Sequence, residues 1–272
     1  MCKILKVPRS SYYKHFTKTP SNREVENQML AKEILSIYID SKKRYGAPKI
    51  NETLIANGLN ISLKRTQRIM KKLDIQSIII KKYRPQSSKN KVVEKENILK
   101  RDFSTKAINE KWVTDITYIY TLKNRWCYLA SVMDLHTKKI IGHAMSKSID
   151  TALALEAVKN AMKLQKPTKP LILHSDLGCQ YTSQDFEDYI SNTKIIAHSF
   201  SGKGCPYDNA GIESFHASLK KEEVNHVTYY DFNSAKLAMF EYIEAWYNRK
   251  RIHSSIGYIS PQQCEDLARK IS

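Results

Sequence analysis

The chain has 272 residues, 42% hydrophobic and 26% charged, with a net charge of +18; this is ordinary globular material, most simply arranged as two domains. Residues 1–100 hold 23 basic against 8 acidic side chains, a net of +15, while residues 101–272 hold 22 against 19, a net of +3, so a polyanion is the natural partner of the N-terminal part. The composition excludes a membrane-spanning segment, a secretory leader and, with five scattered cysteines (Cys2, Cys127, Cys179, Cys205, Cys264) and no C-x-x-C pair, a disulfide framework or zinc ribbon; the expected location is the cytoplasm.

Residues 1–20 read as a basic, aromatic arm broken by Pro8 and Pro20. From Asn22 a helical period places Val25, Met29, Ile34, Ile37 and Tyr38 on one face, with Ser21 or Asn22 as cap and Glu24 and Glu26 in the first turn. That helix is expected to end near Tyr45-Gly46. Pro48 suits the first turn of a second helix, which carries Ile50, Leu54 and Ile55 and stops at Asn57-Gly58. Ser62 can cap a third, LKRTQRIMKKL, with Leu63, Ile69, Met70 and Leu73 inward and Lys64, Arg65, Arg68, Lys71 and Lys72 outward. Two short helices joined by a tight turn, the second one basic, form the pattern of a helix-turn-helix DNA-binding unit over 21–78, although helical bundles with no DNA to bind share it. Residues 79–108, rich in charge with Pro85 and a Ser-Ser pair, read as a basic linker with a weak helical stretch near Val92–Leu99.

From Trp112 the pattern changes to strands. WVTDITYIY, RWCYLASVMD and KKIIGHAMS read as an antiparallel meander. A helix (TALALEAVKNAMKL), a buried strand (PLILHSD), a helix capped by Ser183 (SQDFEDYISN) and a strand (TKIIAHSF) follow. Then come a helix, YDNAGIESFHASLKKE, and a longer one, FNSAKLAMFEYIEAWYNRK. The order βββαβαβα followed by α is that of a mixed α/β, ribonuclease H-like fold over 109–272, ending in a basic helix and turn around YNRKRIHSSIGYISP.

Three acids stand in or beside these apolar segments: Asp115 in the first strand, Asp176 at the carboxyl end of LILHS, and Glu213 on the helix after Pro206. Carboxylates near a core are costly unless paired, hydrogen-bonded or bound to metal. Taken singly, each has an ordinary reading as a strand-edge, turn or solvated residue. Alternation sets Asp115 with Val113, Thr117 and Ile119, and strand ends are where α/β sheets bind ligands. Glu213 and Lys220 share a stripe beside the apolar stripe of Ile212, Phe215 and Leu219. Three converging oxygen ligands suit Mg²⁺ or Mn²⁺, as a pair of ions holding the attacking and leaving oxygens of a phosphoryl transfer. His174 is expected to support the site or simply to pack; Asp208-Asn209 are expected to form the turn and cap of the Glu213 helix. Gly202, Gly204 and Pro206 suit a mobile loop before it, and Trp246 is expected in the core. Arg249, Lys250, Arg251 and His253, interleaved with Tyr247 and Tyr258, suit phosphate contacts.

The stretches WVTDITYI, HSDLGCQYTS, GKGCPYDNAGIESFHASLKKE and YNRKRIHSSIGYISP occur in an order that resembles the DDE transposases of bacterial insertion sequences. The likeness is to the orfB-type, integrase-like subunit of insertion-sequence family three, and it covers nearly the whole chain. It implies that Asp115, Asp176 and Glu213 are the catalytic, metal-binding triad, the last two 37 positions apart, and that Lys220 meets DNA. It also implies Mg²⁺- or Mn²⁺-dependent cleavage and strand transfer at element ends, a circular intermediate, and assembly as at least a dimer on double-stranded DNA. The family's active enzyme is usually a fusion with an upstream frame that supplies a second helix-turn-helix and a leucine zipper. No heptad repeat stands before Ser21 here, and Cys264 stands where an aromatic is expected. A ribonuclease H-fold nuclease, or a DNA-binding subunit inactive without that partner, are the alternative readings.

Overall fold

A computed structural model describes residues 20–79, 96–202 and 206–271, with a few isolated positions before residue 20. The N-terminal arm, most of the linker, Gly204, Cys2 and Cys205 lie outside the described residues. The chain forms two compact units, Met1–Ile78 and Ile79–Ser272.

In the first unit, α1 spans Asn22–Asp40 and opens on a capping box in which the Ser21 side chain and Glu24 satisfy each other's backbone N–H groups. It stops before the expected Tyr45-Gly46, because Lys42 and Lys43 take left-handed conformations (φ 51° and 63°) and turn the chain. Helix α2 is Ala47–Ala56, with proline in its first turn. Helix α3 is Leu63–Lys72, capped by Ser62, which accepts from Arg65 N. The buried stripe of α1 is Leu30, Ile34, Ile37 and Tyr38. Val25 and Met29, expected on it, are exposed. Extended toward the N-terminus, that stripe passes through Glu26 and Asn27, so the first two turns present polar groups to α3. Ile55 and Leu63 are likewise exposed, while Thr66 is buried and donates to Asn51 Oδ1 across the α2–α3 contact at 2.9 Å.

The second unit is built on a five-stranded sheet in the order β3-β2-β1-β4-β5. Strands β1 (Lys111–Thr121), β2 (Arg125–Asp134) and β3 (Ile140–Ser146) are antiparallel; β4 (Leu171–Ser175) and β5 (Ile196–Phe200) run parallel to β1. Helix α4 (Thr151–Gln165) returns the chain from β3 to β4, and α5 (Gln184–Thr193) from β4 to β5. Trp112, Ala130 and Val132 of the sheet pack with Ala154, Ala157 and Val158 of α4 and Phe186 of α5. Gly142 of β3 is where α4 comes closest, since a Cβ there would collide with the backbone of Ala157 and Ala161.

Helix α6 (Ala210–Glu222) lies over β1 on the other side, with Gly211 against Leu135 and Val113. Helix α7 (Phe232–Phe240) runs into a π-helical stretch, Glu241–Tyr247, so the long C-terminal helix is present but changes its winding. Residues 248–260, read as part of a basic helix and turn, hold a turn, a bridge between His253 and Ile259 and a short 3₁₀ segment. The last helix, α8 (Pro261–Ile271), comes only after them. It is anchored by buried Glu265, which accepts from Lys139, Gln165 and Arg269.

Residues 96–108 are no tether. Leu99 is buried, its N–H donating to Ser199 Oγ at 2.9 Å, and Phe200 N donates to Glu96 O at 3.1 Å. Replacing Gly142 by Ala should destabilise the second unit by about 3 kcal/mol or more, because the clash is with backbone, which cannot swing aside. Denaturant unfolding of Gly142→Ala against the parent checks this.

Candidate active site

The parallel pairing of β1 with β4 sets Lys111, Trp112 and Val113 beside Ile172, Leu173 and His174. Carried two residues on, that register puts Asp176, which follows the carboxyl end of β4, level with Asp115 inside β1, on neighbouring chains about 5 Å apart. The Asp115 carboxylate accepts from Ile116 N (2.8 Å) and lies 3.3 Å from His216 Nδ1. Asp176 accepts from Gly178 N at 3.0 Å. Asp176 is exposed as a residue, yet the protein packed around its carboxyl and then the Asp115 charge push its pKa up to about 6, against the Gly178 hydrogen bond. At Gly178 a Cβ would stand 2.8 Å from Gln180 Oε1 and 2.9 Å from Asp176 Oδ1, so a side chain there would push the Asp176 carboxylate or Gln180 aside.

Glu213 lies on the first turn of α6 and is exposed. Among the described residues no three carboxylate, histidine or cysteine side chains gather closely enough to hold a metal ion, so Glu213 does not join the two aspartates in one group. The residue of α6 that meets Asp115 is instead His216, one turn further on and buried, with its Nε2 lacking a hydrogen-bond partner. Lys220, one more turn along, holds its Nζ 3.9 Å from the centre of the Tyr118 ring. Burial lowers the Lys220 pKa, opposed by the Asp115 charge.

Helix α6 is fixed at both ends. At its start, buried Asp208 accepts from Arg101 Nε (2.6 Å), Gly202 N (2.7 Å) and Asn97 Nδ2 (3.0 Å), and Asn209 donates to Thr114 O of β1. These two residues therefore tie the helix to the core; Asn209 makes no side-chain cap, contrary to expectation. At its end, buried Glu222 accepts from Tyr242 OH (3.0 Å), Trp246 Nε1 (3.1 Å) and the Arg251 guanidinium (2.9 Å). Trp246 is thus in the core, as expected. His174 is a buried packing residue bonded to Ser199 and Ser201, and burial pushes its pKa down to about 4, so it is neutral at physiological pH.

Two expected phosphate contacts bond other residues of the chain, Arg251 in a buried pair and Arg65 at the surface. Arg251 is spent on Glu222, with Ser218 and His253 around it, and Arg65 bonds Glu26 and Asn27 of α1. Lys64, Arg68, Lys71, Lys72, Arg249 and Lys250 are exposed, as expected. Two positions escaped the sequence reading, and Glu222, read with Glu223 as a surface salt-bridge alternative for Lys220, is buried and bonded elsewhere. His216 follows Glu213 by one helical turn, a spacing that could have revealed it. Gly178 and Glu222 carried no local sign, because what they touch is set by tertiary packing.

Residues 106–206 match a family model described as "Integrase core domain", 194–261 a second of the same description, and 24–83 one described as "HTH-like domain". The chain is 35% identical over 269 residues to "Transposase InsF for insertion sequence IS3A" of Escherichia coli (strain K12), covering 98% of this chain and 93% of that one. The chain belongs to the IS3 family of insertion-sequence transposases. The transposase is 35% identical over 262 residues to the "Insertion element IS600 uncharacterized 31 kDa protein" of Shigella sonnei, covering 96% of each. Among solved structures it is similar to the HTLV-2 integrase catalytic core domain at 18% identity, covering 58% of this chain and 97% of that one, with a TM-score of 0.44. It is a polynucleotidyl transferase of the DDE class with a ribonuclease H-like core behind a helical unit of helix-turn-helix type. No helix among the described residues is long and apolar enough to cross a membrane.

Removing one partner of the Glu222–Arg251 pair leaves the other charge buried, so Arg251→Ala should cost about 3–5 kcal/mol of stability. Combining it with Glu222→Gln should cost less than the two single effects added. A double-mutant cycle by denaturant unfolding measures both outcomes.

Proposed function

We propose that the transposase cleaves DNA at the ends of an insertion sequence and joins the freed 3′-OH to a second strand, with Asp115, Asp176 and Glu213 as its catalytic residues. The observation that carries this is the closeness of Asp115, inside β1, to Asp176, just past the end of its parallel neighbour β4, felt as the Asp115 charge on the Asp176 carboxyl. Their donor chemistry fits Mg²⁺ or Mn²⁺: hard oxygen ligands whose mutual repulsion a divalent cation would relieve. When bound, a pair of such ions would neutralise phosphodiester charge and lower the pKa of the attacking water or hydroxyl.

The chain's own residues position. Asp115 is oriented by its bonds to Ile116 N and His216, and Asp176 by Gly178 N. Glu213 stands one helical turn from His216, so turning its side chain is enough to bring it toward the aspartates. Lys220 reaches the DNA strand held at the site. The exposed Lys64, Arg68, Lys71 and Lys72 of α3 grip duplex phosphates, with Arg249 and Lys250 as a second contact. Arg65 and Arg251, bonded within the protein, stay out of that grip. Two element ends in one reaction call for at least two copies on DNA, with an upstream-frame product as a further partner.

Asp115→Asn, Asp176→Asn and Glu213→Gln should each abolish Mg²⁺-dependent cleavage of the element's own terminal DNA while leaving its affinity for that DNA unchanged. Near-normal cleavage by any one of them removes that residue from the site. Gly178→Ala should lower cleavage by about a hundredfold with little loss of stability, because the added methyl displaces the Asp176 carboxylate. Cleavage rates and thermal unfolding, measured on one preparation, test both halves of that statement.

A further inference from the structure

Beyond the three acids, strand β1 carries a feature that neither the core nor the proposed chemistry uses. Tyr118, Tyr120 and Trp126 are about half exposed (55%, 48% and 49%) and share one face of the β1–β2 hairpin. Tyr120 and Trp126 are directly opposite in register, and Tyr118 sits diagonally to Trp126. The Trp126 ring meets each tyrosine at a centroid distance of 5.2 Å, with interplanar angles of 87° and 75°. Edge-to-face contacts of this kind hold the rings in place without closing them into a stack. Singly exposed aromatics need no explanation, but three in contact on one strand pair make a patch.

Charge says what the patch faces. The Lys220 ammonium lies against the Tyr118 ring, and Lys123 and Arg125 are exposed in and beside the turn that joins the two strands. Lys220 ties it to the candidate active site. Tyr118 and Tyr120 follow Asp115 by three and five residues, about 10 and 17 Å at 3.3 Å per residue, and alternation turns them to the other face of β1; Lys220, whose ammonium lies on the Tyr118 ring and feels the Asp115 charge, spans the two. Beyond Val113, β1 has no further pairing with β4. Aromatic faces with interleaved cations next to a phosphoryl-transfer centre match the chemistry of unpaired nucleobases on a negatively charged strand.

We propose that Tyr118, Tyr120 and Trp126 form a stacking platform for unpaired bases of the DNA strand leaving the candidate active site, with Lys220 as its inner, cationic end. This rests on the reading of the chain as a DNA strand transferase, but its test is one of binding and needs no chemistry. The full-length transposase is titrated, in EDTA, with a blunt duplex of the element's terminal sequence and with the same duplex bearing a short oligothymidine arm on one 3′ end. Trp126→Ala and Tyr120→Ala should each weaken binding of the armed duplex by about tenfold, leave the blunt duplex within about twofold, and Trp126→Phe should restore most of the loss. A 2-aminopurine placed in the arm should be quenched by the parent protein and not by Trp126→Ala.

Equal losses on both duplexes, or no loss on the armed one, would overturn the platform. So would unchanged binding accompanied by a shift to smaller species in sedimentation, which would make the patch a contact between copies. Because both residues are surface-exposed, unchanged thermal unfolding of the variants is expected and separates lost stacking from lost fold. Failure of the parent protein to cleave DNA under Mg²⁺ would count against the proposed function and leave the arm-dependent binding intact.

Discussion

The second unit depends on how Glu222 is buried. A carboxylate taken out of water needs several donors to offset its desolvation, and Glu222 receives them from Tyr242, Trp246 and Arg251. All three belong to the segment that begins in the π-helical stretch after α7, where Tyr242 and Trp246 stand one turn apart and present their polar tips to one oxygen. Hydrophobic contact alone would let α6 slide or roll on the sheet. A directional pair at its end, with Asn209 bonded to β1 at its start, fixes its rotation. That rotation decides that His216 meets Asp115 and that Lys220 meets Tyr118.

The second constraint is repulsion. Asp115 and Asp176 stand side by side because a parallel register leaves them no choice. Each is satisfied only in part by local donors, one from Ile116 and one from Gly178. The site is therefore electrostatically incomplete as the chain alone builds it. Folding energy has gone into holding two like charges at one edge, a feature found where function rather than stability sets the sequence.

Much of this was legible in residue order, for identifiable reasons. The period-two alternation of WVTDITYIY and the apolar run LILHS specify strands, and the Ser21 and Ser62 side chains specify helix starts whatever surrounds them. What periodicity could not give was which neighbour a face would meet. Val25 and Met29 look apolar enough to be buried, but α3 offers Arg65 at that end of α1. Arg251 looks like a surface cation in a basic run and is a buried partner of a residue 29 positions earlier. Residues 96–108 look like linker because their contacts, to Ser199, Phe200 and Asp208, lie about a hundred positions away. Local signals report backbone propensity; these three are decided by tertiary pairing.

The route by which the chain enters the catalytic unit has a mechanical meaning. Its first described residues, Glu96 to Arg101, bond β5 and Asp208, a residue of the turn into α6. A pull on residues 96–101 is thus shared between β5 and the foot of the helix that carries Glu213.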